Sequence, residues 1–164
     1  MAKINLIRID SRLIHGQVIT KWLKISKANR VLIVDDELAK DDFLSSIYTA
    51  AAPRNVVVTI LSIEDTLNNM KENQLGKGEL LLLTKDVETL FRLFEQDFPI
   101  TQIQIGGIPS SSDRRTILRA VSLNGGEVKQ LTEMNDSGIE ITVHTVPEEG
   151  QLSFNQIMEK FSKK

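Results

Sequence analysis

Short apolar runs alternate with amphipathic segments from one end of the chain to the other. The runs are rich in leucine and β-branched residues and are bounded by turn or cap residues, which is typical of strands. We therefore predict seven strands, at residues 3–9, 30–35, 56–61, 80–84, 100–105, 120–123 and 139–146. Between the runs, apolar residues recur at helical spacing, most clearly at Val87, Leu90, Phe91 and Phe94.

The order of these elements predicts the fold class. Alternating strands and helices form a largely parallel sheet covered by helices on both faces. We expect one α/β domain spanning residues 1–164, a three-layer αβα sandwich around an open, twisted, mainly parallel sheet of about seven strands. The last run alternates apolar and polar residues, which predicts an edge strand in the C-terminal part with one wet face. His144 falls on the polar side of this run and is predicted to be an exposed strand residue.

Cap residues mark the ends of several helices. Asn124 precedes Glu127, and Ser153 precedes Gln156, at the spacing of a capping box. Asp86 follows the fourth predicted strand and is interpreted as a helix cap.

Composition restricts the chemistry that the chain can perform. The 164 residues include no cysteine and two histidines, His15 and His144. Thiolate nucleophiles are thereby excluded and metal ligands are scarce, so we expect neither a metal nor a cofactor. The net charge of −2 and the absence of a basic run argue against nucleic acid as a partner. With no signal peptide and no apolar run near the length of about 18 residues that spans a membrane, the expected location is the cytoplasm.

The loop after the first predicted strand concentrates reactive side chains. Sites in open α/β sheets form outside the carboxyl ends of strands, and the first N–H groups of the following helix attract anions. Here Arg12 can donate two hydrogen bonds to phosphoryl oxygens, and cationic surroundings favour a neutral, nucleophilic His15. Asp10 either orients His15 or braces Arg12, and the sequence does not choose between these roles. The spacing alone sets few constraints and favours the simpler interpretation, a partly buried, hydrogen-bonded histidine.

A longer motif surrounds these residues. The segment RIDSRLIHGQV at residues 8–18 resembles the phosphorylation-site motif of enzyme IIB of the mannose/fructose/sorbose class of the bacterial sugar phosphotransferase system. Supporting segments lie at residues 34–41, 50–53, 105–108 and 146–147, so the resemblance covers essentially the whole chain. The serine-rich segment 109–113 departs from the family pattern.

The resemblance implies a function and a site. His15 would take a phosphoryl group from a phosphohistidine of a IIA protein, through the δ1 nitrogen, and pass it to a sugar held by the membrane proteins IIC and IID. Arg12 would contact the phosphoryl group, with Asp10 in the same loop. The resemblance also implies a sheet with strand one near its centre and a protein-histidine phosphotransferase that associates with the inner face of the cell membrane through IIC and IID.

Other residues are site candidates by position. The backbone of the phosphoryl loop would come from Leu13, Ile14, Gly16 and Gln17, and Gly16 leaves room beside the imidazole for a donor. The periphery of the site would include three residues that follow other strands: Asp36, Gly106 and Gly107.

Residues of the first helix allow two interpretations. Lys21, Lys24 and Lys27 form either a solvated face or a surface that steers an acidic IIA partner. Trp22 on the same helix is predicted to lie in the core.

Two alternative functions remain open at this point. Asp35 and Asp36 resemble the acidic pair of a receiver domain, which binds Mg²⁺ and accepts phosphate on a third aspartate. That fold begins with this strand, whereas here a complete strand, motif and helix precede it. The second alternative is a regulatory binding module that keeps the fold without relaying phosphate, against which the intact Asp10, Arg12 and His15 argue.

Overall fold

Nine strands and seven helices lie along residues 1–16 and 18–163, which this computed structural model describes. The strands are β1 (Lys3–Asp10), β2 (Arg30–Val34), β3 (Val57–Leu61), β4 (Glu79–Thr84), β5 (Gln102–Gly107), β6 (Arg115–Leu118), β7 (Val121–Leu123), β8 (Glu140–Val143) and β9 (Leu152–Ser153). The helices are α1 (Val18–Ser26), α2 (Asp36–Lys40), α3 (Asp42–Ala50), α4 (Ile63–Asn73), α5 (Val87–Glu95), α6 (Gly125–Asp136) and α7 (Phe154–Ser162).

Seven strands form the central sheet in the order β3-β2-β4-β1-β5-β8-β9. All neighbours pair in parallel except β8 and β9. Strands β4 and β1, near the middle of the sheet, are largely buried. Leu80 and Leu82 of β4 and Ile9 of β1 are 0% exposed. The predicted mainly parallel α/β fold, with strand one at the centre, is therefore confirmed.

Two strand predictions need correction. The run at residues 120–123 forms β7, which pairs with β6 in a separate two-stranded sheet because a tight turn folds these strands onto each other. The seventh strand of the central sheet is β9, which has two residues and is too short to show a period of two. It lies at the edge and covers β8, so the edge strand is in the C-terminal part but is not the run at 139–146.

The predicted position of His144 on an exposed strand also needs correction. It follows the end of β8 and is half-buried rather than exposed on a strand. Its ring packs edge-on against Trp22, with ring centroids 4.8 Å apart, and its Nε2 lies 2.8 Å from the carbonyl oxygen of Glu149.

The helices divide between the two faces of the sheet. Helices α1 to α3 cover an apolar cluster that includes Leu6 and Trp22, whereas α4 to α7 cover a cluster that includes Ile7 and Ile9. Because strand side chains alternate between faces, Arg8 and Asp10 lie on the same face as Leu6, toward α1. No helix in the described part of the chain is long and apolar enough to cross a membrane.

The predicted caps are present. Asn124 with Glu127 and Ser153 with Gln156 form reciprocal capping boxes at the starts of α6 and α7. The carboxylate of Asp86 accepts a hydrogen bond from the Thr89 backbone N–H at the start of α5. These bonds satisfy helix N–H groups that lack partners within the helix.

Candidate functional site

The candidate site lies at the carboxyl end of β1, the central strand. The helix after β1 covers one face of the sheet, whereas the helices that follow β4 and β5 cover the other. Such a change of side between neighbouring strands opens a crevice at their carboxyl ends. The loop that enters this crevice is tied to β5, because the Ser11 backbone N–H donates to the carbonyl oxygen of Gly107 at 2.9 Å.

The loop backbone takes two left-handed conformations. Leu13 has a φ of 57° and Gly16 a φ of 49°. A left-handed leucine is unusual, but its side chain is 4% exposed and packs in the cluster under α1, which holds the loop in place. Ile14 packs partly against the same cluster. Leu13, Ile14 and Gly16 thus form the loop backbone as expected, and Gln17 lies outside the described residues.

Asp10 holds both of its candidate partners. Its side chain is 1% exposed. Oδ1 accepts hydrogen bonds from the backbone N–H of Arg12 at 3.1 Å and from its Nε at 3.3 Å. Oδ2 lies 3.1 Å from Nε2 of His15. The two roles that the sequence left open for Asp10 are therefore both occupied in one geometry.

The contact to Asp10 distinguishes the two ring nitrogens of His15. A carboxylate only accepts hydrogen bonds, so Nε2 carries the proton in this pair and the lone pair of a neutral ring lies on Nδ1. No hydrogen bond to Nδ1 comes from residues 1–16 or 18–163. The side chain of His15 is 21% exposed and that of Arg12 is 52% exposed, so both can meet a group that approaches from outside.

Comparison with known proteins identifies the family. The model of the family described as PTS system sorbose subfamily IIB component matches residues 4–164. The chain belongs to this family. As a IIB component of the sugar phosphotransferase system it is a transferase that serves phosphotransfer in sugar uptake, and such components work with IIA proteins and with IIC/IID membrane partners.

Individual relatives agree with this assignment. The chain is 28% identical to the fructose-specific EIIB component of Bacillus subtilis (strain 168), covering 99% of this chain and 100% of the relative. It is 29% identical to the mannose-specific EIIAB component of Escherichia coli (strain K12), covering 98% of this chain and half of that longer protein. The crystal structure of manxB from Thermoanaerobacter tengcongensis superposes with a TM-score of 0.93 at 35% identity, covering 99% of both chains.

One residue of this IIB component that sequence reasoning overlooked is Arg8. It is 1% exposed, and Nη2 of its guanidinium lies 3.5 Å from Oδ2 of Asp10. The sequence contains a signal for this role, because Arg8 is a charged residue within the apolar strand predicted at residues 3–9. A charge that is buried in a sheet needs partners.

Gly106 and Gly107 lie within a strand rather than after its end. Gly106 and Gly107 are the last residues of β5. A β-carbon at Gly106 would overlap the Arg8 guanidinium, and one at Gly107 would lie 3.1 Å from Oδ1 of Asp10. The two glycines lie beside Arg8 and Asp10, and their lack of a β-carbon leaves space for these two side chains.

The acidic residues after other strands serve the fold. Asp35 caps α2 by accepting from the Leu38 backbone N–H. Asp36 accepts from the Ile63 backbone N–H at 2.8 Å and pairs with Arg92 at 3.2 Å, which ties α2 to α4 and α5. Within the described residues, no group of three or more His, Cys, Asp or Glu side chains can hold a metal ion. Asp35 and Asp36, the acidic pair that the receiver alternative would use to bind Mg²⁺, thus hydrogen-bond to helix N–H groups and to Arg92.

Trp22, Lys21 and Lys24 belong to α1, and Lys27 follows its end. Trp22 is buried at 4% exposure, as predicted. Lys21, Lys24 and Lys27 are exposed, and Lys21 pairs with Glu148 at 2.8 Å. This ion pair joins α1 to the loop after β8.

Proposed function

We propose that His15 of this IIB component accepts a phosphoryl group from a phosphohistidine of a IIA protein and passes it to a sugar, as a protein-histidine phosphotransferase. The observation that carries the proposal is the contact between Asp10 and Nε2 of His15. It fixes the tautomer in which Nδ1 is the nucleophile. The position of this histidine at the carboxyl end of the central strand supports the same role.

The first transfer forms one bond and breaks another. Nδ1 of His15 attacks phosphorus, and the bond between phosphorus and the imidazole of the IIA protein breaks, returning its electron pair to that ring. His15 keeps its Nε2 proton, so the phosphorylated ring is cationic. The Asp10 carboxylate balances this charge, and in-line transfer between two imidazoles depends mainly on positioning and charge stabilisation.

The second transfer consumes the phosphohistidine. A sugar hydroxyl attacks phosphorus and gives its proton to water. The bond between phosphorus and Nδ1 breaks and its electron pair returns to Nδ1, so His15 is again a neutral ring protonated at Nε2. Arg12 is suited to both transfers because its exposed guanidinium can leave Asp10 and donate two hydrogen bonds to phosphoryl oxygens.

The partners and the location follow from this relay. The phosphoryl donor is a IIA protein or domain, and the sugar is held by IIC and IID. We place the protein in the cytoplasm, at the inner face of the membrane through IIC and IID. The mannose-specific relative whose name joins EIIA and EIIB in one chain supports the IIA partner.

Labelling tests the acceptor. Phosphate from phosphoenolpyruvate is passed through the general phosphotransferase proteins and a IIA partner to the full chain. We expect an acid-labile, alkali-stable label that His15→Ala abolishes and His144→Ala retains. A label that persists in His15→Ala, or one that is alkali-labile, would overturn the assignment in favour of an aspartyl phosphate.

A second assay separates the carrier from a regulatory module. The labelled protein is mixed with membrane vesicles that contain IIC and IID and with the sugar. Loss of label with formation of sugar phosphate supports the carrier, whereas stable label in the presence of active membrane partners supports the regulatory module.

A further inference from the structure

A buried arginine lies directly behind the candidate site. Arg8 is 1% exposed and belongs to β1, between Ile7 and Ile9, which are 2% and 0% exposed. Burial of a charge is costly unless the charge is paired and hydrogen-bonded. The charge of Arg8 therefore requires partners that compensate for its burial.

Both terminal nitrogens of the Arg8 guanidinium have hydrogen-bond acceptors. Nη1 donates to Oε1 of Gln104 and to the carbonyl oxygen of His144, the latter at 2.8 Å. Nη2 donates to the carbonyl oxygen of Thr145 at 2.9 Å and lies 3.5 Å from Oδ2 of Asp10. Arg8 thus joins the Asp10 carboxylate to β5 and to the loop after β8.

An aromatic ring completes the enclosure. The guanidinium carbon of Arg8 lies 5.1 Å from the centroid of the Trp22 ring, a cation–π distance. Burial lowers the pKa of Arg8 to about 10, while the charge of Asp10 acts in the opposite direction. The guanidinium is therefore charged at neutral pH.

The neighbouring strand is shaped to admit this side chain. The register between β1 and β5 shifts after Ile9 and Ile105, so that Asp10 lies beside Gly107 and Gly106 is the extra residue. A β-carbon at Gly106 would overlap the guanidinium. Bulges of this kind redirect side chains next to active sites.

Asp10 thus has two arginine partners that differ in freedom. Arg12 is 52% exposed and can turn toward a phosphoryl group, whereas Arg8 is enclosed and cannot leave. Once Arg12 has turned toward the phosphoryl group, and while the His15 ring is still neutral, Arg8 is the cation that stays beside the Asp10 carboxylate.

We infer that Arg8 is a positioning residue that holds the Asp10 carboxylate against Nε2 of His15 and balances its charge while Arg12 binds the phosphoryl group. The inference rests on the proposed function of His15. A purely structural arginine would stabilise the strand, but its loss would leave the tautomer of His15 unchanged.

The test begins with the unphosphorylated protein. Nitrogen NMR of the His15 ring reports which nitrogen carries the proton and requires no phosphotransfer. We expect Arg8→Gln to lower the population of the Nε2-protonated tautomer and Arg8→Lys to restore it in part, because lysine keeps the charge but loses the fork. Rates of phosphorylation by phospho-IIA should fall about 10- to 100-fold in Arg8→Gln and less in Arg8→Lys.

Two further variants keep the test decisive. Arg114→Gln removes another arginine–carboxylate pair, that of Arg114 with Glu127 at 3.0 Å, and should lower stability without changing the His15 tautomer or the rate. Gly106→Ala displaces the Arg8 guanidinium without removing any charge and serves if the Arg8 variants do not fold. It should shift the His15 resonances in the same direction as Arg8→Gln.

The outcomes are separable. An unchanged tautomer and rate in folded Arg8→Gln, or in Gly106→Ala where Arg8→Gln is unfolded, would overturn the inference. Retention of label in His15→Ala would instead overturn the proposed function, and the NMR result on Arg8 and Asp10 would still stand.

Discussion

Nε2 of His15 lies 3.1 Å from Oδ2 of Asp10, a carboxylate that is itself 1% exposed. Because Oδ1 of the same group accepts from Arg12, one buried carboxylate contacts both the exposed Arg12 and the partly exposed His15 and fixes their orientation. Orientation by a buried group preserves the geometry while solvent and partners exchange at the surface. Asp10 is therefore the residue on which the arrangement of His15 and Arg12 depends.

Asp10→Asn should separate the charge of this residue from its shape. The amide can present its NH₂ group to His15 and removes the charge that pairs with Arg8. We expect phosphorylation by phospho-IIA to slow about 10- to 100-fold and stability to fall by about 3 kcal/mol. Chemical denaturation and single-turnover labelling measure the two effects. Glu127→Gln, which weakens the pair with Arg114, should lose stability alone; equal slowing in both variants would contradict the assignment.

Arg12→Lys should slow transfer far more than it affects folding. Lysine keeps the charge but cannot donate the paired hydrogen bonds of a guanidinium. The side chain is 52% exposed, so we expect a change in stability within about 0.5 kcal/mol. Arg92→Lys is the matched control, because Arg92 is 51% exposed and pairs with an aspartate at 3.2 Å. Equal transfer rates in the two variants would show that the paired hydrogen bonds of the Arg12 guanidinium are not needed for transfer.

Much of the fold was predictable because it depends on local patterns. The apolar runs that became β1, β2 and β4 are long enough for their periodicity to be unambiguous, and helix caps such as Asn124 act over three residues. The pairing of β6 with β7 and the addition of β9 at the edge depend on contacts between segments. No local pattern encodes those contacts, so the seventh strand was misplaced.

The site shows the same division. His15, Arg12 and Asp10 lie within one loop, and their proximity follows from sequence spacing alone. Arg8 contributes through residues far along the chain, the carbonyls of His144 and Thr145. Likewise, Gly106 is required by a side chain on another strand rather than by a turn of its own. Such requirements become visible only when the strands are placed side by side.

Gly16→Ala should destabilise the protein through the backbone alone. Gly16 has a φ of 49°, and apart from its neighbours along the chain no atom of the described residues lies within 4 Å of the place where a β-carbon would be. The left-handed conformation costs an alanine about 1 kcal/mol. Gly125→Ala provides the control, since that helical glycine has the same open space without a positive φ. This substitution should raise the free energy of unfolding by about 0.4–1 kcal/mol. Thermal unfolding distinguishes the two, and equal shifts would refute the conformational explanation.

Lys21→Met should raise the pKa of Glu148. The side-chain hydrogen bond from Lys21 holds the pKa of that carboxyl below its usual value. A lowered carboxyl pKa stabilises the folded state at pH values above the unfolded pKa, and this contribution is lost as the pH falls through the folded pKa. An NMR titration of Glu148 measures the shift. Lys24→Met, on the same exposed stripe, should leave the titration unchanged; a shift there would indicate a general effect of helix charge.

Asp36→Ala should affect stability and leave phosphorylation intact. Its carboxylate accepts from the Ile63 backbone N–H and pairs with Arg92, so its loss removes one cap and one partly exposed ion pair. We expect a decrease of about 1–2 kcal/mol in the free energy of unfolding and an unchanged rate of labelling by phospho-IIA. Addition of Mg²⁺ should change neither quantity, because these contacts already occupy the carboxylate. A rate that falls tenfold in a stably folded variant would return Asp36 to the periphery of the site, and a Mg²⁺-dependent label would revive the receiver alternative.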